Sequence, residues 1–318
     1  MTDPPAPQAA GDAQPARADI LSQLLTLIRL QGDGVYSAEL AAGVHARVPA
    51  GPSHLHFVEA GSLWITADDG APLQLQTGDL VVLPHGRGHT LSQAHRPARS
   101  AEDFFAADRF DPAHLKIRHG EGAAMASVIG GIFRYERLPL PPIMRALPTL
   151  IHIPGDAGRV PEWLRLLSHF LMAEAHEVRP GAQLMVSRII DLLVIRALRS
   201  WAELHPQQSR WLTSAAGERV GLALHAIHAD PYRRWSVEQL ARHAGLSRSL
   251  LAQQFVQVTG EPPMRYIALW RLSVADDLIR SGNVGVGDAA RRVGYQSEAG
   301  FSRAFKAYFG YAPKQAKP

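Results

Sequence analysis

Asp288–Pro313 reads DAARRVGYQSEAGFSRAFKAYFGYAP. The pattern predicts a short helix, a turn at Gly294-Tyr295, and a second helix capped by Ser297. In the second helix Phe301, Ala304, Phe305 and Tyr308 fall at i, i+3, i+4 and i+7, the spacing of a buried stripe. Glu298, Ala299, Ser302, Arg303 and Lys306 fall on the opposite side. A helix held by aromatic residues, with short polar and basic residues outward, has the form needed to read a DNA major groove.

The pattern occurs twice. Upstream, Leu240-Ala241, Gly245 and Ser247 lead to Leu251, Phe255, Gly260 and Pro263; downstream, Ala290, Gly294 and Ser297 lead to Phe301, Phe305, Gly310 and Pro313. The offset is 49 residues before the turn and 50 after it, so one residue is inserted at the turn. One unit alone has a plain helical hairpin as its alternative reading. Two copies in register point to a duplicated supersecondary unit.

The chain has 318 residues, enough for about two domains. Its 46% hydrophobic content suffices for real cores, and no apolar run approaches a membrane span. The absence of cysteine excludes disulfides, thiolate metal sites and thiol redox sensing. The opening MTDPPAPQAAGDAQPARAD carries acids and prolines where a signal peptide has a basic start and an apolar core, so a cytoplasmic protein is expected. Charge is unevenly placed. Residues 219–318 hold 14 Lys/Arg against 7 Asp/Glu, an excess of +7 in a chain of net +4, which leaves −3 for residues 1–218. The basic excess coincides with the repeat, as a DNA binder requires.

Residues 1–18 lack an apolar period and are expected to be disordered. Asp19 is a candidate cap for a helix using Ile20, Leu24, Leu27 and Ile28. From about Tyr36 to Ile153 the texture is that of short strands, such as 63–66, 73–76 and 80–83, with turns at Asp68-Asp69-Gly70 and Thr77-Gly78-Asp79. Frequent turns favour a sandwich or small barrel. His54 and His56 share one face of a strand. Gly78, Pro84, Gly86, His89 and Gln93 follow the pattern G-x5-P-x-G-x2-H-x3-N, except that Gln93 replaces asparagine.

This half therefore resembles the cupin superfamily. A cupin metal site would add a glutamate after three or four intervening residues, whereas only two separate Glu59 from His56, and that odd offset puts it on the opposite face of an unbroken strand. His54, His56 and His89 are candidate ligands for a divalent metal or for a small-molecule effector, or are hydrogen-bonded barrel residues. Next comes a helical region, 157–208. Trp163, Leu166, Leu167, Phe170 and Leu171 form one stripe, and a longer apolar helix runs to about Leu204. The pair reads as a coupling and dimerisation element or as a cover for the barrel.

In the basic segment, Ser236-Val-Glu-Gln239 has the form of a capping box, and Pro263 opens a long helix ending near Gly282. Leu240-Ala241, Gly245, Ser247, Phe255, Gly260, Pro263, Tyr266, Arg271, Ala290, Gly294-Tyr295, Ser297, Phe301, Phe305-Lys306, Gly310 and Pro313 together resemble the AraC/XylS family of bacterial transcription regulators. The chain departs at its end, where Pro313 is followed by Lys314-Gln-Ala-Lys317-Pro318 rather than Pro-x-x-Tyr-Arg. The resemblance implies an α+β two-domain protein: a cupin-like jelly-roll sensor (19–156), a helical coupler (157–208) and an all-α DNA-binding domain with two helix-turn-helix units (219–318). It places base reading on Arg248, Ser249, Ala252 and Gln253 in the first unit and on Glu298, Ala299, Ser302 and Arg303 in the second, with Lys306 and Arg292 on phosphates. The expectation is a non-enzymatic, ligand-responsive regulator acting on double-stranded promoter DNA as a homodimer, with RNA polymerase as a partner if it activates. The rival expectation is a metal-dependent cupin enzyme with an appended helical DNA-binding module.

Overall fold

The computed structural model describes residues 20–316 except 68–69, 98–99, 112, 137–138, 157–158, 178, 207–208, 210–218 and 283. The expected N-terminal tail, the Asp19 cap and the Asp68-Asp69 part of a turn lie outside the described residues.

Helix α1 (Ile20–Ile28) buries Leu21, Leu24, Leu25 and Ile28. The strands follow: β1 (Leu30–Ala41), β2 (His45–Val48), β3 (Ser53–Ala67), β4 (Leu73–Gln76), β5 (Leu80–Leu83), β6 (His89–Ser92), β7 (Glu102–Asp103), β8 (Phe110–Asp111), β9 (Lys116–His119) and β10 (Ala124–Tyr135). The short helix α2 (Pro142–Arg145) precedes β11 (Ile151–Ile153). The main path runs β7-β2-β6-β3-β10-β1-β9-β8, with β4, β5 and β11 branching from it. Strand β3 closes the curl because it serves two sheets. Its first half pairs with β10 and β5, and its second half pairs with β4 and β6.

Three strands, β1, β3 and β10, are longer than the sequence pattern suggests. β1 begins at Leu30, not Tyr36, and runs through Gly32 and Gly34 with a register shift between them. Gly32 is required by packing. A Cβ there would come within 3.0 Å of Ile190 Cβ and of the Ser187 backbone, where the long helix α4 (Ala182–Leu204) crosses.

Helix α3 (Glu162–His176) and α4 form an antiparallel pair lying on the barrel. The stripe read from the sequence of α3 is displaced. Leu164, Ser168 and Leu171 face the core, while Leu166 and Phe170 are exposed. On α4 the inner face is Val186, Ile189, Ile190, Leu193, Val194, Ala197, Leu198 and Trp201, and Leu184, Met185 and Leu192 are exposed. An inner face on the barrel and an outer apolar face coexist on this pair.

The C-terminal half is helical: α5 (Arg219–Ala229), α6 (Val237–His243), α7 (Arg248–Thr259), α8 (Pro263–Arg280), α9 (Val286–Arg292) and α10 (Glu298–Phe309). The capping box is formed, with Ser236 Oγ accepting from Gln239 N at 3.1 Å and Gln239 Oε1 accepting from Ser236 N at 3.0 Å. Pro263 sits in the first turn of α8, where its missing N–H costs nothing. At roughly 1.5 Å per residue, α8 spans about 27 Å.

The core is divided in a way that positions the two units differently. One apolar cluster runs continuously from α1 and the barrel into α5, α6, α7 and the first half of α8, through Leu224, Leu240, Phe255, Tyr266 and Trp270. The second unit has its own cluster, centred on Phe301 and Phe305 with Leu272, Ile279, Ala289 and Val293. Pro313 and Ala316 are buried there, so the atypical C-terminal sequence still closes the unit.

Candidate nucleic-acid interface and effector seat

The turns and second helices of the two helix-turn-helix units match bond for bond, whereas the capping box of α6 has no counterpart on α9, which opens at Gly285 without a side-chain cap. In the first, Gly245 takes φ 61° and Leu246 N donates to Ala241 O at 2.9 Å; in the second, Gly294 takes φ 91° and Tyr295 N donates to Ala290 O at 2.9 Å. The left-handed conformation explains glycine at both turns. Ser247 Oγ accepts from Leu250 N at 3.3 Å and Ser297 Oγ from Gly300 N at 3.1 Å, which caps α7 and α10 alike. Both helices end at a left-handed glycine, Gly260 or Gly310, whose amide donates four residues back at 2.8 Å. The inserted residue lies between Gly294 and Ser297.

Leu251 and Phe255 in α7, and Phe301 and Phe305 in α10, are fully buried. Arg248, Ser249 and Gln253 are exposed on α7, and Ala252 is half-buried. Glu298, Ala299, Arg303 and Lys306 are exposed on α10, and Ser302 is half-buried. Arg292, at the end of α9, is exposed as well. Sequence phase thus assigned these faces correctly, but not the local environment of Glu298. Its Oε2 lies so near Gly287 that a Cβ there would come to 2.9 Å, with Arg291 beside it. Glu298 therefore leans against α9. Leu250 and Val256, both exposed on α7, add an apolar element that the four-residue assignment omits.

Arg271 on α8 ties the units together. Its Nε donates to Pro231 O at 2.7 Å and its Nη2 to Arg233 O at 2.6 Å, while its Nη1 lies against Gly294. Farther along α8, Asp276 accepts from Arg280 Nε at 2.9 Å and from Tyr311 Oη at 3.0 Å. Asp276 is only 2% exposed, so these bonds hold a buried charge between α8 and the segment after α10.

In the barrel, alternate positions of β3 bring His54 and His56 onto one inner face, with rings stacked at 5.9 Å, and β6 presents His89 to both. His56 Nε2 and His89 Nε2 are 2.7 Å apart, so one ring donates and the other accepts. All three are buried. Burial holds His54 down to about 4 and His89 down to about 3, and lowers His56 as well, so all three are neutral near pH 7. Tyr36, Phe104 and Phe105 complete this seat through ring contacts with one another and with the imidazoles. Sequence reasoning missed these three. Their only signal was Gly130, which pairs with Tyr36 across β10 and β1 and leaves space for its ring.

The seat does not fit a metal centre as arranged. Two nitrogens bonded to one tetrahedral ion at 2.0–2.1 Å would stand about 3.3 Å apart; His56 and His89 are closer and spend their facing atoms on each other. The glutamate is also misplaced. A register shift in the β3–β10 pairing leaves Glu59 as the extra residue, yet its carboxylate faces solvent and accepts from Ser127 Oγ at 2.8 Å. Among the described residues no group of three or more His, Asp or Glu is placed to hold an ion. What the seat does carry is unsatisfied polarity. Tyr36 Oη, His54 Nδ1 and His56 Nδ1 are buried without a hydrogen-bond partner among the described residues. His85 is spent on Leu147 O at 2.8 Å, and His95 packs on Trp64, as their loop positions imply.

A curled β domain joined to paired helix-turn-helix units whose second helices are capped alike defines a DNA-binding transcription regulator. The Cupin family profile matches residues 19–203, and the Helix-turn-helix domain profile matches residues 240–317. The HTH-type transcriptional regulator AlkR of Acinetobacter baylyi is 31% identical over 264 residues, covering 81% of this chain and 85% of that protein. A putative AraC-like transcription regulator of Streptomyces lividans is 30% identical over 307 residues, covering 93% and 96%. The crystal structure of unsaturated fatty acid-bound ToxT from Vibrio cholerae aligns at 12% identity and a TM-score of 0.37, over 90% of this chain and 94% of that one. The chain belongs to the AraC-like family of helix-turn-helix transcription regulators, with a cupin domain at its N-terminal side. Among the described residues no helix is long and apolar enough to cross a membrane.

Proposed function

We propose that this regulator is controlled by a small organic effector seated in the barrel and reads promoter DNA with α7 and α10. The observation that carries the ligand reading is the trio of buried, unpartnered polar atoms on Tyr36, His54 and His56, set among aromatic rings. An effector with an apolar body and one polar group would supply the missing partners, each worth about 1–3 kcal/mol when left unmade. Neutral imidazoles suit such a ligand. The relatives carry regulator names, which favours a regulatory over an enzymatic role for the barrel.

The units proposed are a sensor (19–156), a coupler (157–208) and a DNA-binding domain (219–318). Communication between sensor and reader has a physical route. α1 packs on α5 and α8, α2 packs on α7, Arg145 meets Glu261 at 3.5 Å, and Tyr308 Oη donates to Leu140 O at 3.4 Å. The exposed Leu166 and Phe170 of α3 and Met185 and Leu192 of α4 are proposed as the homodimer face. Base reading is proposed for Arg248, Ser249, Ala252, Gln253, Ser302 and Arg303, with Glu298 and Ala299 at the entry to α10 and Lys306 and Arg292 on phosphates. Action in the cytoplasm, and contact with RNA polymerase where it activates, belong to the same reading. A thermal-shift screen of the full chain against apolar and amphipathic compounds tests the effector claim. A true ligand raises Tm by mass action, and the rise disappears in Tyr36→Phe or His54→Ala. A rise that survives both substitutions would place the ligand elsewhere.

A further inference from the structure

We propose that a second small-molecule site, separate from the imidazole seat, lies between α1, β1 and α4 and accepts an amine carried on an apolar body. The cavity is about 560 Å³. Leu25, Leu30, Leu184 and Ile195 supply apolar wall, and Asp191 with Arg188 supplies the polar end. Asp191 is 9% exposed. Its Oδ2 accepts from Arg188 Nη1 at 3.0 Å, but Oδ1 is buried with no hydrogen-bond partner among the described residues. The Gly32 amide beside it also bears on the carboxylate, while its hydrogen bond goes to Ser187 Oγ at 3.1 Å. Burial pushes the carboxyl up from its ordinary value, in keeping with a charge that one exposed arginine compensates only in part.

The charges at the rim select the ligand. Arg188 faces Asp191, and Arg29 faces Glu136 at 3.9 Å, so the four charged groups sum to zero. An anion would have to displace a carboxylate from its arginine. An ammonium at this end instead gains from the nearly buried Asp191 carboxylate, whose charge only one exposed arginine compensates.

The position gives the site a consequence. Leu25 and Thr26 of α1 border this cavity, while Ser22, Thr26 and Leu27 border a crevice formed with His228 and Trp270 of the DNA-binding half. An occupant therefore bears on one side of a nine-residue helix whose other side touches α5 and α8. Occupancy of this site sets the seating of α1, and with it the purchase of the sensor on the first helix-turn-helix unit.

Calorimetry on the full chain with n-octylamine, 1-octanol and octanoate tests the assignment. Octylamine should bind saturably and at least tenfold more tightly than the other two. Asp191→Asn should remove that preference while leaving octanol unchanged. Since Asp191 also holds Arg188, Leu184→Trp serves as the second variant. Leu184 is exposed at the cavity wall, so the indole fills the space without disturbing the core, and octylamine binding should be lost at unchanged Tm. His89→Ala should leave octylamine binding intact, which separates this site from the barrel. Equal binding of octylamine and octanoate, binding that survives Leu184→Trp, binding abolished by His89→Ala, or no saturable binding would overturn the proposal.

Discussion

Replacing Gly130 by alanine probes the packing of the imidazole seat with a single methyl group. Gly130 lies in β10 opposite Tyr36 in β1, and its backbone is not in the left-handed region, so alanine carries no conformational penalty. The whole effect is steric. A Cβ at this position would fall within 3.0 Å of Cζ, Cε2 and Oη of Tyr36. The ring cannot swing clear, because Tyr36 is 2% exposed and packed against Phe104, Phe105 and His56. Overpacking of this kind costs about 1–3 kcal/mol. The upper half of that range is expected, because the neighbours are rings and paired strands rather than flexible chain ends. Urea denaturation of Gly130→Ala, Tyr36→Leu and the double variant measures it. The double variant should recover at least half of the alanine penalty, since leucine vacates the space of the ring. A loss below about 0.5 kcal/mol, or a penalty that adds unchanged in the double variant, would refute the packing described.

Arg303→Ala should lower affinity for the specific operator by about 1–3 kcal/mol at fixed salt with Tm unchanged, as gel-shift titration would show. Lys306→Ala should weaken all DNA sequences alike and reduce the salt slope by about one. Asp276→Ala, which leaves Arg280 and Tyr311 without their shared acceptor, should cost about 3 kcal/mol in urea melts. Stability should fall as pH drops below 6.5, because the unfolded chain then binds protons that folded His54 refuses until about pH 4 and His89 and His228 until about pH 3. Each group contributes a slope of about 1.4 kcal/mol per pH unit in its window and nothing above pH 6.5, and His228→Phe should remove one such contribution from melts at pH 4.5–7.5.

The DNA-binding half was legible because its signals are local. Ser247 and Ser297 cap, Gly245 and Gly294 turn, and Phe255 and Phe305 repeat at helical phase, so each claim needs fewer than fifteen residues of chain. The barrel half was legible only in outline. His54, His56 and His89 stand out by type, but Tyr36, Phe104 and Phe105 join them through strand pairings that no local pattern encodes. Strand texture was read only from about Tyr36, whereas β1 starts at Leu30 and Gly32 marks where α4 crosses it. The bulge at Glu59 depends on pairing with β10, and even with it the carboxylate faces outward. On α3 the apolar residues cover two faces, so periodicity alone could not say that Leu166 and Phe170 would be left exposed. Asp191 gave no signal, because its burial comes from β1 passing 155 residues away in sequence at Ser187.

The central claim is that two related helices, fixed at the ends of α8, read one face of DNA. Hydroxyl-radical footprinting of the full chain on its operator tests it most directly. Two protected patches about one helical turn apart on the same face are expected, with Gln253→Ala relaxing sequence preference in one patch and Arg303→Ala in the other. A single patch, or a loss of preference at both patches from either substitution, would contradict it.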